Sequence, residues 1–208
     1  VKRNGAKEPL NIDKIHFVVE EACKNLAGVS SSQIEMNANL QFYDGMSTDE
    51  IQEVLIRSAN DLISLDIPNY QFAAARLLSY TVNKQVFGRY EPITLREMIE
   101  KNIERGVYDP EILELYTAEE IDRMDSYIHH KRDENFTYAG LRQVVDKYLC
   151  QDRSSGQIFE TPQFMYMMIA ATLFAQYPKE ERMHYVRRYY DATSLFRINI
   201  PTPVMAGV

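Results

Sequence analysis

The sequence predicts a mainly α-helical protein in two domains, on three observations. Apolar side chains recur every three or four residues along most of the chain. These stretches tend to open on Ser, Thr, Asn or Pro and to close on Gly. Two short places, around Asn4-Gly5 and around Ser154-Ser155-Gly156, carry turn residues suited to a hairpin.

Taken in order, Asn4-Gly5 suits a type I′ turn, in which both central residues need positive φ. Asn11 or Asp13 then caps a helix bearing Ile15, Val18, Val19, Ala22 and Leu26, with Gly28 as its stop. A second helix follows Ser30-Ser31-Ser32, with Ile34 and Leu40 apolar. After an Asp44-Gly45 turn, Ser47 and Glu50 form a capping box ahead of Ile51, Val54, Leu55, Ala59, Leu62 and Ile63. Pro68 starts a fourth helix that runs apolar from Ala73 to Phe87 and stops at Gly88. One hairpin and four helices thus fill a first domain, residues 1–89.

The Tyr90-Glu91-Pro92 stretch marks the boundary to a second domain, residues 90–208. Helices are predicted over Thr94–Arg105, from the Thr117-x-x-Glu120 box, and over Phe136–Tyr148. Tyr148–Glu160 reads as a hairpin. Thr161-Pro162 is an N-cap with Pro at the first helical position. It opens a helix whose Met165, Met167 and Met168 pack on nearly every side. Pro178 starts another helix, to about Ser194. Phe196–Ile200 reads as a short strand running into Pro201-Thr202-Pro203.

Composition narrows the function. The chain has 208 residues, 45% hydrophobic and 25% charged, as in a folded globular protein. A net charge of −7 argues against general nucleic-acid binding, which needs a cationic surface. The most apolar stretch, Phe164–Phe174, is shorter than the roughly 20 residues of a membrane span. Two cysteines, Cys23 and Cys150, support neither a disulfide framework nor a structural zinc. The expected setting is the cytoplasm, and the expected form is a piece of a longer protein. His129-His130 has no carboxylate or Cys at ligand spacing, so it reads as surface and no metal is expected.

The acidic chain opens on a basic stretch, with Lys2, Arg3, Lys7 and Lys14 against Glu8 and Asp13. Lys14 stands in the first turn of its helix, where the macrodipole disfavours a cation. An anion bound there would reverse that argument, because the first N–H groups and Lys14 could share it. Two readings fit: a solvated basic end on an ordinary capped helix, or a phosphate site.

Longer motifs discriminate better. VKRNGAKEPLNIDKI is followed by Tyr43-Asp44-Gly45-Met46-Ser47-Thr48-Asp49-Glu50-Ile51 and by Pro68-Asn69-Tyr70-Gln71-Phe72-Ala73-Ala74-Ala75-Arg76. In this order they resemble an ATP cone, the nucleotide-binding regulatory module of class I ribonucleotide reductase large subunits. The similarity continues through Phe87-Gly88-Arg89-Tyr90-Glu91-Pro92, Arg132-Asp133-Glu134-Asn135-Phe136-Thr137-Tyr138 and Lys147-Tyr148-Leu149. It runs on through Gly156–Phe164 to Pro201-Thr202-Pro203-Val204-Met205-Ala206-Gly207, and so covers essentially the whole chain.

The resemblance implies a cone of one β-hairpin and a four-helix bundle, then a helical domain with its own small hairpin. A ten-stranded α/β barrel would begin beyond Val208. The implied activity is reduction of ribonucleoside diphosphates to deoxyribonucleotides. Implied partners are a radical-generating small subunit, the rest of the large subunit, further copies in a homo-oligomer, and thioredoxin or glutaredoxin as reductant. The effectors would be ATP and dATP, with Mg2+ accompanying the nucleotide.

Carried over by position, the overall-activity site falls on Lys2, Arg3, the stretch Glu8, Pro9, Leu10, Asn11, Ile12, Asp13 and Lys14, and on Thr48 and Lys84. Lys2, Arg3 and Lys84 would hold phosphates, Glu8 and Asn11 base and ribose, and Thr48 a phosphate. Lys84 has a second reading, since a cation near a helix C-terminus is favourable without a ligand. Strongly dATP-inhibited relatives carry His where this chain has Gln52 and Thr81; neither replacement can become cationic.

Thr202 is implied to contact the substrate diphosphate, though a Pro-Thr-Pro turn also suits a strand end. Neither cysteine matches the radical or redox positions, so no catalytic residue is expected here. Cys23 and Cys150 read as buried fillers. A cysteine within about twenty-five residues past Val208 is what the family pattern implies.

Two other classes stay open: a stand-alone nucleotide-sensing module, and a helical interaction scaffold with a degenerate cone. The absence of a four-Cys zinc ribbon weighs against the cone-bearing repressors.

Overall fold

A computed structural model describes residue 1, residues 5–89 and residues 91–206. The chain divides into two compact units, one of Val1–Thr81 with Glu134–Arg142, the other of Val82–Asp133 with Gln143–Val208. Among the described residues it is mainly helical, with one two-stranded antiparallel sheet.

In the first unit, α1 spans Ile12–Cys23, α2 Ser31–Asn39, α3 Thr48–Asn60, and α4 begins at Tyr70 and runs to Phe87. The caps fall where the polar residues predict. Asn11 accepts from the Lys14 N–H at 2.9 Å, Ser30 caps α2, and Ser47 with Glu50 forms a complete capping box on α3. Val19 and Ala22, Ile34 and Ala38, Val54, Leu55, Ile56 and Ala59, and Ala73–Ala75, Leu77 and Leu78 of α4 are all buried, and α2 packs against both α1 and α3.

Two boundaries differ from the spacing. α1 ends at Cys23, not near Gly28, because the chain leaves through Asn25 at φ +60. Arg76 of α4 takes up the freed carbonyls of Ala22 and Lys24 at 3.3 and 2.7 Å. Asn is one of the few residues that tolerate this left-handed backbone. α3 likewise stops before Leu62 and Ile63, and Leu40 is exposed where Ala38 is buried. Of the opening hairpin, Lys2, Arg3 and Asn4 lie outside the described residues, and residues 5–11 run without strand.

In the second unit, α5 spans Leu95–Glu104, α6 Glu111–Leu115, α7 Ala118–Asp125, and α8, which begins at Tyr138, ends at Lys147. Strands β1 (Gln151–Asp152) and β2 (Gln157–Ile158) form the expected hairpin, with Gly156 at φ +73 in its turn. α9 spans Pro162–Phe174, α10 Lys179–Ser194 and α11 Thr202–Ala206. Met165 and Met167 are buried and α9 packs along α10. α6 and a 3-10 helix over His130–Asn135 were not foreseen; each is too short for periodicity to register.

The strand expected over 196–200 is absent. α10 closes through Phe196 at φ +55, with the Arg197 and Ile198 N–H groups both on the Ala192 carbonyl. This is a helix-ending motif, and an extended reading of an apolar run needs a neighbouring strand to hold it. Pro201-Thr202-Pro203 accordingly leads into a helix rather than ending a strand.

Candidate functional site

The start of α1 is built by Asn11. Its side chain takes the Lys14 N–H and its carbonyl takes the Ile15 N–H at 3.4 Å. Glu8 through Lys14 are all exposed, which leaves a helix start and a lysine open to an anion.

Thr48, the first residue of α3, is half-buried, and its N–H donates to the Val1 carbonyl at 3.0 Å. The Glu50 N–H is held by Ser47. The Thr48 hydroxyl is therefore the group better suited to a phosphate than its own N–H. Lys2 and Arg3 lie outside the described residues. Lys84 is exposed in the last turn of α4 and belongs to the second unit.

The two positions expected to bear on dATP differ in state. The Thr81 hydroxyl donates to the Leu77 carbonyl of its own helix at 3.2 Å. Gln52 Oε1 is buried with no hydrogen-bond partner among the described residues. Such an atom carries a desolvation cost until a donor reaches it.

Thr202 is exposed at the start of α11, and its hydroxyl lies 3.1 Å from the Tyr148 hydroxyl. Lys147-Tyr148-Leu149 stood out as a motif, but nothing in the sequence links Tyr148 to a residue 54 positions on.

The cysteines are half-buried. Burial pushes the Cys23 thiol up to about 11 and the Cys150 thiol to about 12, so both stay protonated and poorly nucleophilic. The surface reading of His129-His130 holds for His129 only. The His130 ring packs edge-on to Phe87 and Phe164, at 5.5 and 5.0 Å, and burial lowers its pKa to about 4. Among the described residues no three His, Cys, Asp or Glu side chains could hold a metal ion. No helix there is long and apolar enough to cross a membrane.

Sequence reading missed a buried polar cluster in the second unit. Gln163 donates to Asp133 at 2.7 Å and accepts from Tyr190 and Ser194 at 2.7 and 2.6 Å. Nothing in a linear pattern marks this set, because its members come from three separate helices.

Comparison with known proteins bears on the whole chain. Residues 1–85 match the family described as "ATP cone domain", and residues 134–208 match "Ribonucleotide reductase, all-alpha domain". The chain is 48% identical over 207 residues to ribonucleoside-diphosphate reductase 1 subunit alpha of Escherichia coli K12. It is 47% identical over 207 residues to the Haemophilus influenzae alpha subunit and 41% over 209 residues to that of Enterobacteria phage T4. Each comparison covers 100% of this chain and 27% of the relative, so the chain spans about a quarter of their length. The matches to an ATP cone and to the reductase all-alpha domain, with 48% identity across the whole chain, place it in the class I ribonucleotide reductase alpha-subunit family, where it corresponds to the N-terminal part.

Proposed function

We propose that the chain is the regulatory and structural N-terminal part of a ribonucleoside-diphosphate reductase large subunit, with ATP and dATP binding at the cone. The observation that carries this is the exposed start of α1, where Asn11 and Lys14 sit inside the region matched to the ATP cone. Lys2, Arg3, Glu8–Lys14, Thr48 and Lys84 would contribute to the site, with Mg2+ arriving on the nucleotide. The full-length protein would reduce ribonucleoside diphosphates in the cytoplasm, as a homo-oligomer with a small subunit and with thioredoxin or glutaredoxin as reductant. Thr202 would contact the substrate diphosphate.

Calorimetry on the 208-residue chain tests the effector site. ATP should bind saturably, and Lys14→Glu should weaken binding about ten- to a hundredfold, as expected for losing a charge-assisted bond and adding repulsion. Unchanged affinity in the variant would move the site away from α1.

A second expected outcome concerns dATP. ATP and dATP differ by one ribose hydroxyl, and a single hydrogen bond contributes only about 0.5–1.5 kcal/mol net. Discrimination therefore depends on side chains that seat the two nucleotides differently. Thr81 is turned onto its own helix and Gln52 cannot carry charge, so the full-length enzyme should be activated by ATP and only weakly inhibited by dATP. A dATP titration with the specificity effector held constant checks this, and near-complete inhibition at low dATP would refute it. Gln52→His with Thr81→His should strengthen the inhibition.

A further inference from the structure

We propose that Tyr148 is a positioning residue for Thr202, holding the threonine hydroxyl as a donor toward an anionic oxygen of the substrate diphosphate. The proposal rests on reading Thr202 as a substrate contact.

The starting observation is the 3.1 Å contact between the two hydroxyls. Its two ends are held firmly. Tyr148 follows the last residue of α8, and both its N–H and that of Leu149 bond the Val144 carbonyl, at 2.9 and 3.1 Å. Leu149 is buried beside it. The last carbonyls of α8 are taken up from the hairpin side, Val145 by Gln151 at 2.8 Å and Asp146 by Arg153 at 3.3 Å. On the other side, the Val204 and Met205 N–H groups bond the Pro201 carbonyl, and α11 packs on α9. The phenol is thus presented to Thr202 from a fixed backbone.

The chemistry gives the contact a direction. Each hydroxyl has one proton to donate and two lone pairs to accept. An ionised phosphate oxygen only accepts. If Thr202 gives its proton to phosphate, the bond between the hydroxyls must run from the Tyr148 O–H to Thr202 Oγ1. Such a chain strengthens the outer donor, because accepting a bond polarises the threonine O–H. Phenylalanine would leave Thr202 free to rotate. A stability role explains the contact poorly: Thr202 is exposed and Tyr148 only half-buried, so water could satisfy both hydroxyls.

The test uses the full-length large subunit with its small subunit, reading KM and kcat for a ribonucleoside diphosphate, and binding of that diphosphate to the large subunit alone. Tyr148→Phe and Thr202→Val should each raise KM and the dissociation constant about three- to tenfold, the range of one lost hydrogen bond, with kcat falling by less. The double variant should be no worse than Thr202→Val, since the tyrosine acts through the threonine. Thr202→Ser should keep the normal KM only while Tyr148 is present. A Tyr148→Phe variant with unchanged KM, or one whose effect adds fully to that of Thr202→Val, overturns the proposal. A Thr202→Val variant with unchanged KM instead overturns the reading of Thr202 on which it rests.

Discussion

Arg182→Ala is expected to lower the unfolding free energy by about 3–5 kcal/mol, the usual cost of leaving one partner of a buried ion pair alone. Arg182 is 2% exposed on α10. Its Nε donates to Glu120 Oε1 at 2.8 Å and a terminal nitrogen to Oε2, a two-point grip on the carboxylate. The guanidinium also lies 4.2 Å from the centre of the Tyr116 ring. Glu120 doubles as the third residue of the α7 capping box, accepting from the Thr117 N–H at 2.9 Å. Burial alone would push the Glu120 carboxyl up, but Arg182 and the Thr117 N–H together hold it below the ordinary range. Alanine removes the cation and the ring contact and leaves the largely buried Glu120 carboxylate without its guanidinium partner. Urea unfolding of the chain provides the measurement. Arg182→Met combined with Glu120→Gln should recover at least half of the loss, because the charge is gone and Gln still serves the capping box. A single-variant loss under about 1 kcal/mol would mean that the pair behaves as a surface salt bridge.

The second large effect is a pH dependence with an unusual sign. Asp133 is 2% exposed; one oxygen accepts from Gln163, and the other is buried with no partner among the described residues. Burial raises its pKa to about 7, against the lowering effect of the Gln163 bond. In the unfolded chain it would titrate near pH 4. Between these values the folded protein holds a proton that the unfolded chain has lost, so this group's stabilisation falls as pH rises from about 4 to about 7. Asp133→Asn removes that component. The stability of the original chain relative to the variant should therefore drop by about 2–4 kcal/mol between pH 4.5 and 7.5. The comparison matters because other carboxylates, Glu120 among them, move the opposite way: they stabilise at neutral pH and lose that contribution in acid. Parallel curves for the two proteins would show that Asp133 is ionised in the folded state.

Much of the fold was legible because it is local. Ser30, Ser47, Thr94, Thr117 and Thr161 each cap the helix that follows, and each bond joins residues three apart. The Gly156 turn and the burial of most of α9 follow from turn chemistry and unbroken hydropathy. The motif order identified the family, since a run of side chains with defined spacing is a one-dimensional property.

What escaped depends on a distant partner. The exit of the chain from α1 is held by Arg76, some fifty residues on, which donates to the Ala22 and Lys24 carbonyls. Phe196–Ile200 looked like a strand, but extended backbone needs a neighbouring strand for its N–H and C=O groups, and α10 instead closes through a left-handed residue. His130 read as surface until Phe87 and Phe164 enclosed it. The Asp133–Gln163 bond and the Tyr148–Thr202 contact are the same case, side chains 30 and 54 positions apart. Caps, turns and helical periods act within one or two turns of chain, so amino-acid order is enough to specify them. Burial, pKa and the aim of a functional hydroxyl depend on the medium that folding assembles from remote segments, and only the packed structure supplies that medium.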